Sequence, residues 1–222
     1  MPVIPLIARL IHPLTWASPR RTVRRLSSFA RAEDGSRIDL CAAAAHCDNP
    51  QRAAAYLEHA RDEARHTRMF AAHARRLAEI HHLPPPAPIR ADGGHLFETL
   101  GETRFLAFVH LGEQRAVQQF TGYARWLAHR DAKTAAVFTA LVTDERRHAA
   151  YSLALLVELA GEQGARRALR RAAVWELWQA WQRVARHTAR LLYRLLFLTL
   201  VPLLAVLSVW VRAVRPQQKG WQ

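Results

Sequence analysis

Two short runs, Asp62-Glu63-Ala64-Arg65-His66 and Asp144-Glu145-Arg146-Arg147-His148, constrain this chain more than any other feature. Each holds a glutamate and a histidine three residues apart, inside an Ala- and Leu-rich stretch that reads as helix. Positions i and i+3 share one helix face, so each run can aim a carboxylate and an imidazole at one point. A single Glu-x-x-His pair arises by chance in many helices. Two copies, each opening on Asp-Glu, call for a common reason. Charged groups on an otherwise apolar face are costly unless they are paired or metal-bound, so the next question is what other carboxylates could meet them.

The punctuation of the chain supplies an answer. Ser18-Pro19 reads as an N-cap with proline at the first helical position, opening a helix to about Cys47. Asp48-Asn49-Pro50 stops it and starts a second helix to about His81, which Leu83-Pro84-Pro85-Pro86 ends. After a long Pro- and Gly-containing connection, a third helix begins between His95 and Glu102 and runs to about Arg130. Asp131 can cap a fourth, running to about Leu159 before Gly161 and Gly164. The order is hairpin, long connection, hairpin, which is the layout of a four-helix bundle with one crossover.

In an antiparallel hairpin, residues equally far from the turn sit at the same height. A first turn at 48–49 mirrors Glu63 to about position 34, where the chain has Glu33-Asp34. A second turn near 129–130 mirrors Glu145 to about 114, next to Glu113. Each hairpin therefore offers a lone carboxylate level with its Glu-x-x-His pair. Glu33 is favoured over Asp34 on turn geometry, both remain open, and Asp39 faces elsewhere. Helical spacing puts Tyr56 and Phe70 near the face of Glu63, and Phe138, Leu141 and Ser152 near that of Glu145. His110 reads as an ordinary core or surface histidine, and His46, His81, His82 and His95 as solvated ones beside turns.

Glu33, Glu63-x-x-His66, Glu113 and Glu145-x-x-His148 resemble the ligand set of the ferritin-like di-iron carboxylate superfamily, closest to its rubrerythrin and acyl-carrier-protein desaturase branch. The resemblance covers residues 21 to 160 and rests on motif and spacing. It implies a ferritin-like fold holding two iron ions, with manganese as the alternative metal. The Glu and His of each motif would serve one ion, Glu63 and Glu145 could also bridge, and Glu33 and Glu113 would be terminal ligands. Asp62 and Asp144 would hold the ligand histidines by their other ring nitrogens.

Beyond this region, residues 195 to 211 are uncharged and apolar, about 26 Å long as a helix, at the short end of a membrane span. Arg190 and Arg194 precede this stretch, and Arg212 and Arg215 follow it, placed to reach the two interfaces. Trp175, Trp178 and Trp181, beside Arg170, Arg171 and Arg183, form an aromatic and basic stretch suited to a bilayer surface. The alternative is an apolar helix buried in a homodimer. Residues 1–17 are apolar but broken by prolines and lack a secretory pattern; they could lie on a membrane or pack on the helices.

The expected organisation is all-α: an N-terminal segment 1–17, a ferritin-like four-helix bundle 18–164, an amphipathic helix 165–194, a membrane segment 195–211 and a basic tail 212–222. With 32 Lys and Arg against 18 Asp and Glu, the formal charge is +14. That excess fits an anionic membrane surface and needs no nucleic acid. Cys41 and Cys47, six apart in one helix, fit neither a disulfide framework nor a zinc site.

The expected function is a membrane-associated di-iron oxidoreductase on the cytoplasmic side. It would use dioxygen and an external electron donor to hydroxylate or desaturate a hydrophobic lipid, fatty acyl or quinone-like substrate. Two alternatives are iron oxidation or peroxide removal at a membrane, and a basic membrane adaptor or RNA-binding protein with a vestigial site.

Overall fold

The computed structural model describes residues 13, 15–91 and 93–214, and among these there is no β-strand. The chain divides between Ala173 and Val174 into two compact units. Of the N-terminal segment, residues 1–12 and 14 lie outside the described residues; Trp16 packs edge-on against Tyr123 and Phe138.

The first unit is built from helices whose starts match their capping chemistry. In α1, Pro19–His46, the Ser18 hydroxyl accepts from the Arg21 N–H. In α2, Pro50–Ile80, Asn49 Oδ1 accepts from the Arg52 N–H at 3.0 Å. The connection that follows is fixed to α1, because Asp39 Oδ1 accepts from the Gly94 N–H at 2.6 Å. Gly93 packs so close that an added Cβ would meet the Gly35 carbonyl at 3.3 Å.

The third helix does not begin as one piece. A short helix α3, Leu96–Leu100, ends at Gly101 (φ 72°), a left-handed residue that re-aims the chain into α4, Glu102–Leu127. Glu102 then accepts from Arg52 Nε at 2.7 Å and from the Tyr56 hydroxyl at 2.9 Å, tying the start of α4 to α2. The last helix, α5, Ala132–Val214, is opened by Asp131, whose Oδ1 accepts from the Thr134 N–H at 3.0 Å. It breaks at Gly161 (φ 66°, ψ 166°). Gly164, expected to punctuate as well, stays helical. A Cβ there would lie 2.9 Å from that of Ala160, so glycine is kept for the close approach across the break.

Two apolar clusters fill the interior of this unit. One gathers Leu26 and Phe29 of α1, Phe70 of α2, Phe120 and Tyr123 of α4, and Phe138 and Leu141 of α5. The other gathers Leu40, Tyr56, Phe105 and Leu156 from the same four helices, with Ala165 and Ala168 from beyond the break. α1 and α5 thus run from the first cluster to the second, and α2 and α4 run the opposite way. Each helix carries its buried Glu or His in the interval between its contributions to the two clusters.

The second unit, described from Val174 to Val214, is different in kind. Trp175, Trp178, Trp181, Trp210 and the large apolar side chains from Leu191 to Leu207 are exposed. α5 includes a window of mean hydropathy 2.1, long and apolar enough to cross a membrane, and none of that window is buried within the chain. Of the expected basic tail, residues 215–222 lie outside the described residues.

Phe138 is fully buried, with its ring 5.3 to 5.7 Å from those of Phe29, Phe70, Phe120 and Tyr123. Phe138→Ala should destabilise the first unit by about 3–5 kcal/mol, measured by denaturant unfolding of the detergent-solubilised chain.

Candidate metal centre

Between the two apolar clusters, four helices deliver seven buried side chains to one place. Glu33 comes from α1; His59, Glu63 and His66 from α2; Glu113 from α4; Glu145 and His148 from α5. They fall into two groups, each able to hold a metal ion: His59, Glu63, Glu113 and His148 in one, Glu33, His66 and Glu145 in the other. Within each group the donor atoms lie within 4.8 Å of one another. Donors about 2.1 Å from a shared ion sit about 3.0 to 4.2 Å apart, so only small closures are needed.

All six residues proposed as ligands from the sequence lie in this cluster, but they sort across the motifs. His66 Nδ1 is 3.2 Å from Glu145 Oε1 and 3.8 Å from Glu63 Oε1. His148 Nδ1 is 3.5 Å from Glu63 Oε1 and 4.0 Å from Glu113 Oε2. Each histidine therefore stands beside the other motif's glutamate, and Glu63 and Glu145 lie where the two groups meet. Asp34 instead pairs with Arg37 at 2.8 Å. His110 is a core histidine with Nδ1 2.8 Å from the Ala149 carbonyl.

The flanking aspartates also cross over. Asp62 Oδ2 is 3.1 Å from His148 Nε2, and Asp144 Oδ2 is 3.4 Å from His66 Nε2. Each half-buried carboxylate fixes the ring orientation of the histidine on the opposite helix, leaving its Nδ1 to face the glutamates. Two exposed arginines close the arrangement: Arg65 contacts Asp62 at 2.6 Å and Asp144 at 2.9 Å, and Arg147 bonds both aspartates as well. Burial pushes the Asp62 carboxyl up, but Arg65, His148 and Arg147 outweigh it and hold it down at about 2. Both arginines stand inside the repeated Asp-Glu-x-Arg-His pattern, which was the signal available in the sequence.

His59 was not expected. Its Nε2 is 2.9 Å from Glu63 Oε1 and 3.5 Å from Glu113 Oε1, and its Nδ1 is 2.6 Å from the Tyr151 hydroxyl. The signal was its spacing: His59, Glu63 and His66 fall at i, i+4 and i+7, one stripe of α2.

The residues fit a metal pair. Glu145 Oε1 and the Nδ1 atoms of His66 and His148 are buried without a well-aligned hydrogen bond, although His66 Nδ1 and Glu145 Oε1 lie 3.2 Å apart; such a state is costly, and cations would relieve it. Burial, followed by the neighbouring carboxylates, drives Glu63 and Glu113 well above the usual carboxylate range. Burial also lifts Glu33 to about 7, despite its bond to Glu63. Burial opposes charge on Glu145 and His66 too, but their mutual contact outweighs it, holding Glu145 down and His66 up. Burial lowers His59 and His148, leaving neutral imidazoles of the form that binds metal. Comparison with protein-family models, with curated proteins and with solved structures gives no match.

A carboxyl raised on folding is better protonated in the folded chain, so its contribution to stability is largest below its unfolded value. For Glu33 that contribution is lost as pH rises from 4.5 through about 7. Metal ions bound at the cluster would replace those protons, so their affinity should rise over the same window. Thermal unfolding of the metal-free chain should show stability falling between about pH 5 and 8. Added ferrous iron should raise Tm more at the upper end of that range than at the lower.

Proposed function

We propose that this chain is a ferritin-like four-helix bundle holding a non-haem di-iron centre, attached to a membrane by its C-terminal segment. On this reading it is an oxidoreductase that uses dioxygen to hydroxylate or desaturate a hydrophobic lipid, fatty acyl or quinone-like substrate. The observation that carries the reading is a cavity of about 200 Å³ that reaches the donor cluster at Glu33, His59, Glu113 and Glu145. Its walls include Phe29, Leu40, Phe105, Phe108, Val109 and Phe120, between α1 and α4. Ser36, Asp39, Arg115 and Gln119 also line it, so an apolar group of a substrate with a polar end could enter and come beside the metal ligands.

Within such a centre Glu33, His66 and Glu145 would hold one ion, and Glu63, Glu113 and His148 the other. Glu63 and Glu145, where the two groups of donors meet, could serve both ions. Four carboxylates would balance the charge of two divalent ions, which would offset much of the cost of burying them. Asp62 and Asp144 would keep each histidine's Nδ1 aimed inward, and Arg65 and Arg147 would hold the aspartates ionised. A bound iron pair would supply the dioxygen chemistry and the redox equivalents; manganese is the alternative. Cys41 is exposed and Cys47 half-buried at a helix end, both free, so they offer no paired-cysteine iron site, and electrons would come from an external donor.

The membrane reading rests on the exposed apolar face of the second unit. Arg183, Arg186, Arg190 and Arg194 precede the apolar stretch. Arg212, Arg215 and Lys219 follow it, so basic residues flank the stretch on both sides; on this reading the bundle lies on the cytoplasmic side, where the slight excess falls. A homodimer is compatible with this arrangement.

The test uses full-length chain in lipid nanodiscs, loaded with ferrous iron and supplied with dioxygen, reductant and membrane lipid extract. The expected result is a lipid product that has gained one oxygen or lost two hydrogens. Its formation should require iron and dioxygen and be abolished by Glu145→Ala. Absence of any product, with fast ferrous oxidation or peroxide turnover lacking an organic substrate, would transfer the assignment to iron oxidation or peroxide removal. Protein that binds no iron would leave a membrane adaptor.

A further inference from the structure

We propose that His59 ligates one metal position only, so that the two ions of the centre are unequal: one is held by two imidazoles, His59 and His148, the other by His66 alone. The inference rests on the dimetal reading above and concerns how that centre is built.

The ring of His59 is divided as a ligand's would be. Nε2 faces the carboxylates, 2.9 Å from Glu63 Oε1 and 3.5 Å from Glu113 Oε1, while Nδ1 lies 2.6 Å from the Tyr151 hydroxyl. A metal-bound histidine donates its other ring N–H to a neighbouring acceptor, and the phenol oxygen of Tyr151 is placed to receive it. His66 and His148 show the same division with the nitrogens exchanged, Nδ1 inward and Nε2 toward an aspartate. The rings of His59 and His148 lie 3.7 Å apart at 31°, a packing that suits two neutral imidazoles converging on one ion. One donor atom from each of His59, Glu63, Glu113 and His148 lies within 4.8 Å of the others, and the inward nitrogens of both rings lie 2.9 to 4.0 Å from oxygens of Glu63 and Glu113.

The other half of the centre lacks this pair. Counting from Glu63, His59 is four residues before and Tyr151 lies across on α5, six residues after Glu145. The corresponding places around the second position are Leu141, four before Glu145, and Met69, six after Glu63. Leu141 is fully buried in the apolar cluster, and Met69 packs against the same cluster. The Asp-Glu-x-Arg-His repeat is therefore symmetric, but its surroundings exchange a histidine–tyrosine pair for leucine and methionine. His59 also differs from the other histidines in its supporting group. A phenol accepts a hydrogen bond without the full negative charge of an aspartate, which makes His59 the less basic ligand.

The experiment is anaerobic titration of the metal-stripped, full-length chain in detergent with ferrous iron, followed by calorimetry, with Mössbauer spectra of the loaded protein. Wild type should take up two ions in steps separated by at least about tenfold in affinity, giving two doublets of equal area. His59→Ala and His59→Gln should both weaken one step on the order of 100-fold and leave the other in place. Tyr151→Phe should keep both ions but weaken that same step about tenfold.

His59→Gln preserves an N–H donor within reach of Glu63. Wild-type binding in this variant would reduce His59 to a hydrogen-bond partner and overturn the proposal. If neither His59 variant keeps its far-UV circular dichroism, the wild-type spectrum decides, and a single doublet overturns it. Wild-type protein that takes up no iron would end the dimetal reading and this inference together.

Discussion

Burial of four carboxylates at one level of the molecule is the constraint on which the rest depends. Glu33, Glu63, Glu113 and Glu145 sit between two apolar clusters that exclude water from above and below. Each ionised carboxylate removed from water costs several kcal/mol unless countercharge arrives with it. Without metal, the chain can meet that cost only by retaining protons on some carboxylates and pairing Glu145 with His66. Apolar packing sets the heights of the helices, and the carboxylates convert that alignment into a cluster that could hold divalent cations as its counterions.

The polar layer around the cluster turns two helices into one device. Each aspartate orients the histidine of the opposite motif, and Arg65 and Arg147 each bridge both aspartates. α2 and α5 thus cannot rotate independently without breaking contacts at both ends of the repeat. The same contacts explain why aspartate precedes glutamate in each run. Neighbouring positions on a helix point about 100° apart, so the glutamate can face the centre while the aspartate reaches sideways to the adjacent helix.

Much of this was legible in the sequence, for identifiable reasons. Helix starts followed from Ser18-Pro19, Asn49-Pro50 and Asp131, because capping is local chemistry. Equal distance from a turn pointed to Glu33 and Glu113, because antiparallel helices rise at the same rate per residue. What escaped depended on rotation and contact between helices. The pairing of Asp62 with His148, rather than with its own motif, is set by the facing of α2 and α5, which spacing along one helix does not specify. His59 lay outside the motif although it shares the stripe of Glu63 and His66. The break at Gly161 was signalled, whereas the helical state of Gly164 depends on the close approach of Ala160.

The most direct test of the central claim is anomalous diffraction from crystals of the chain loaded with iron or manganese. The account predicts two peaks about 3.5–4 Å apart, one among Glu33, His66 and Glu145, the other among Glu63, Glu113 and His148. Metal bound only at the surface, or no peak between the two apolar clusters in fully loaded crystals, would contradict it.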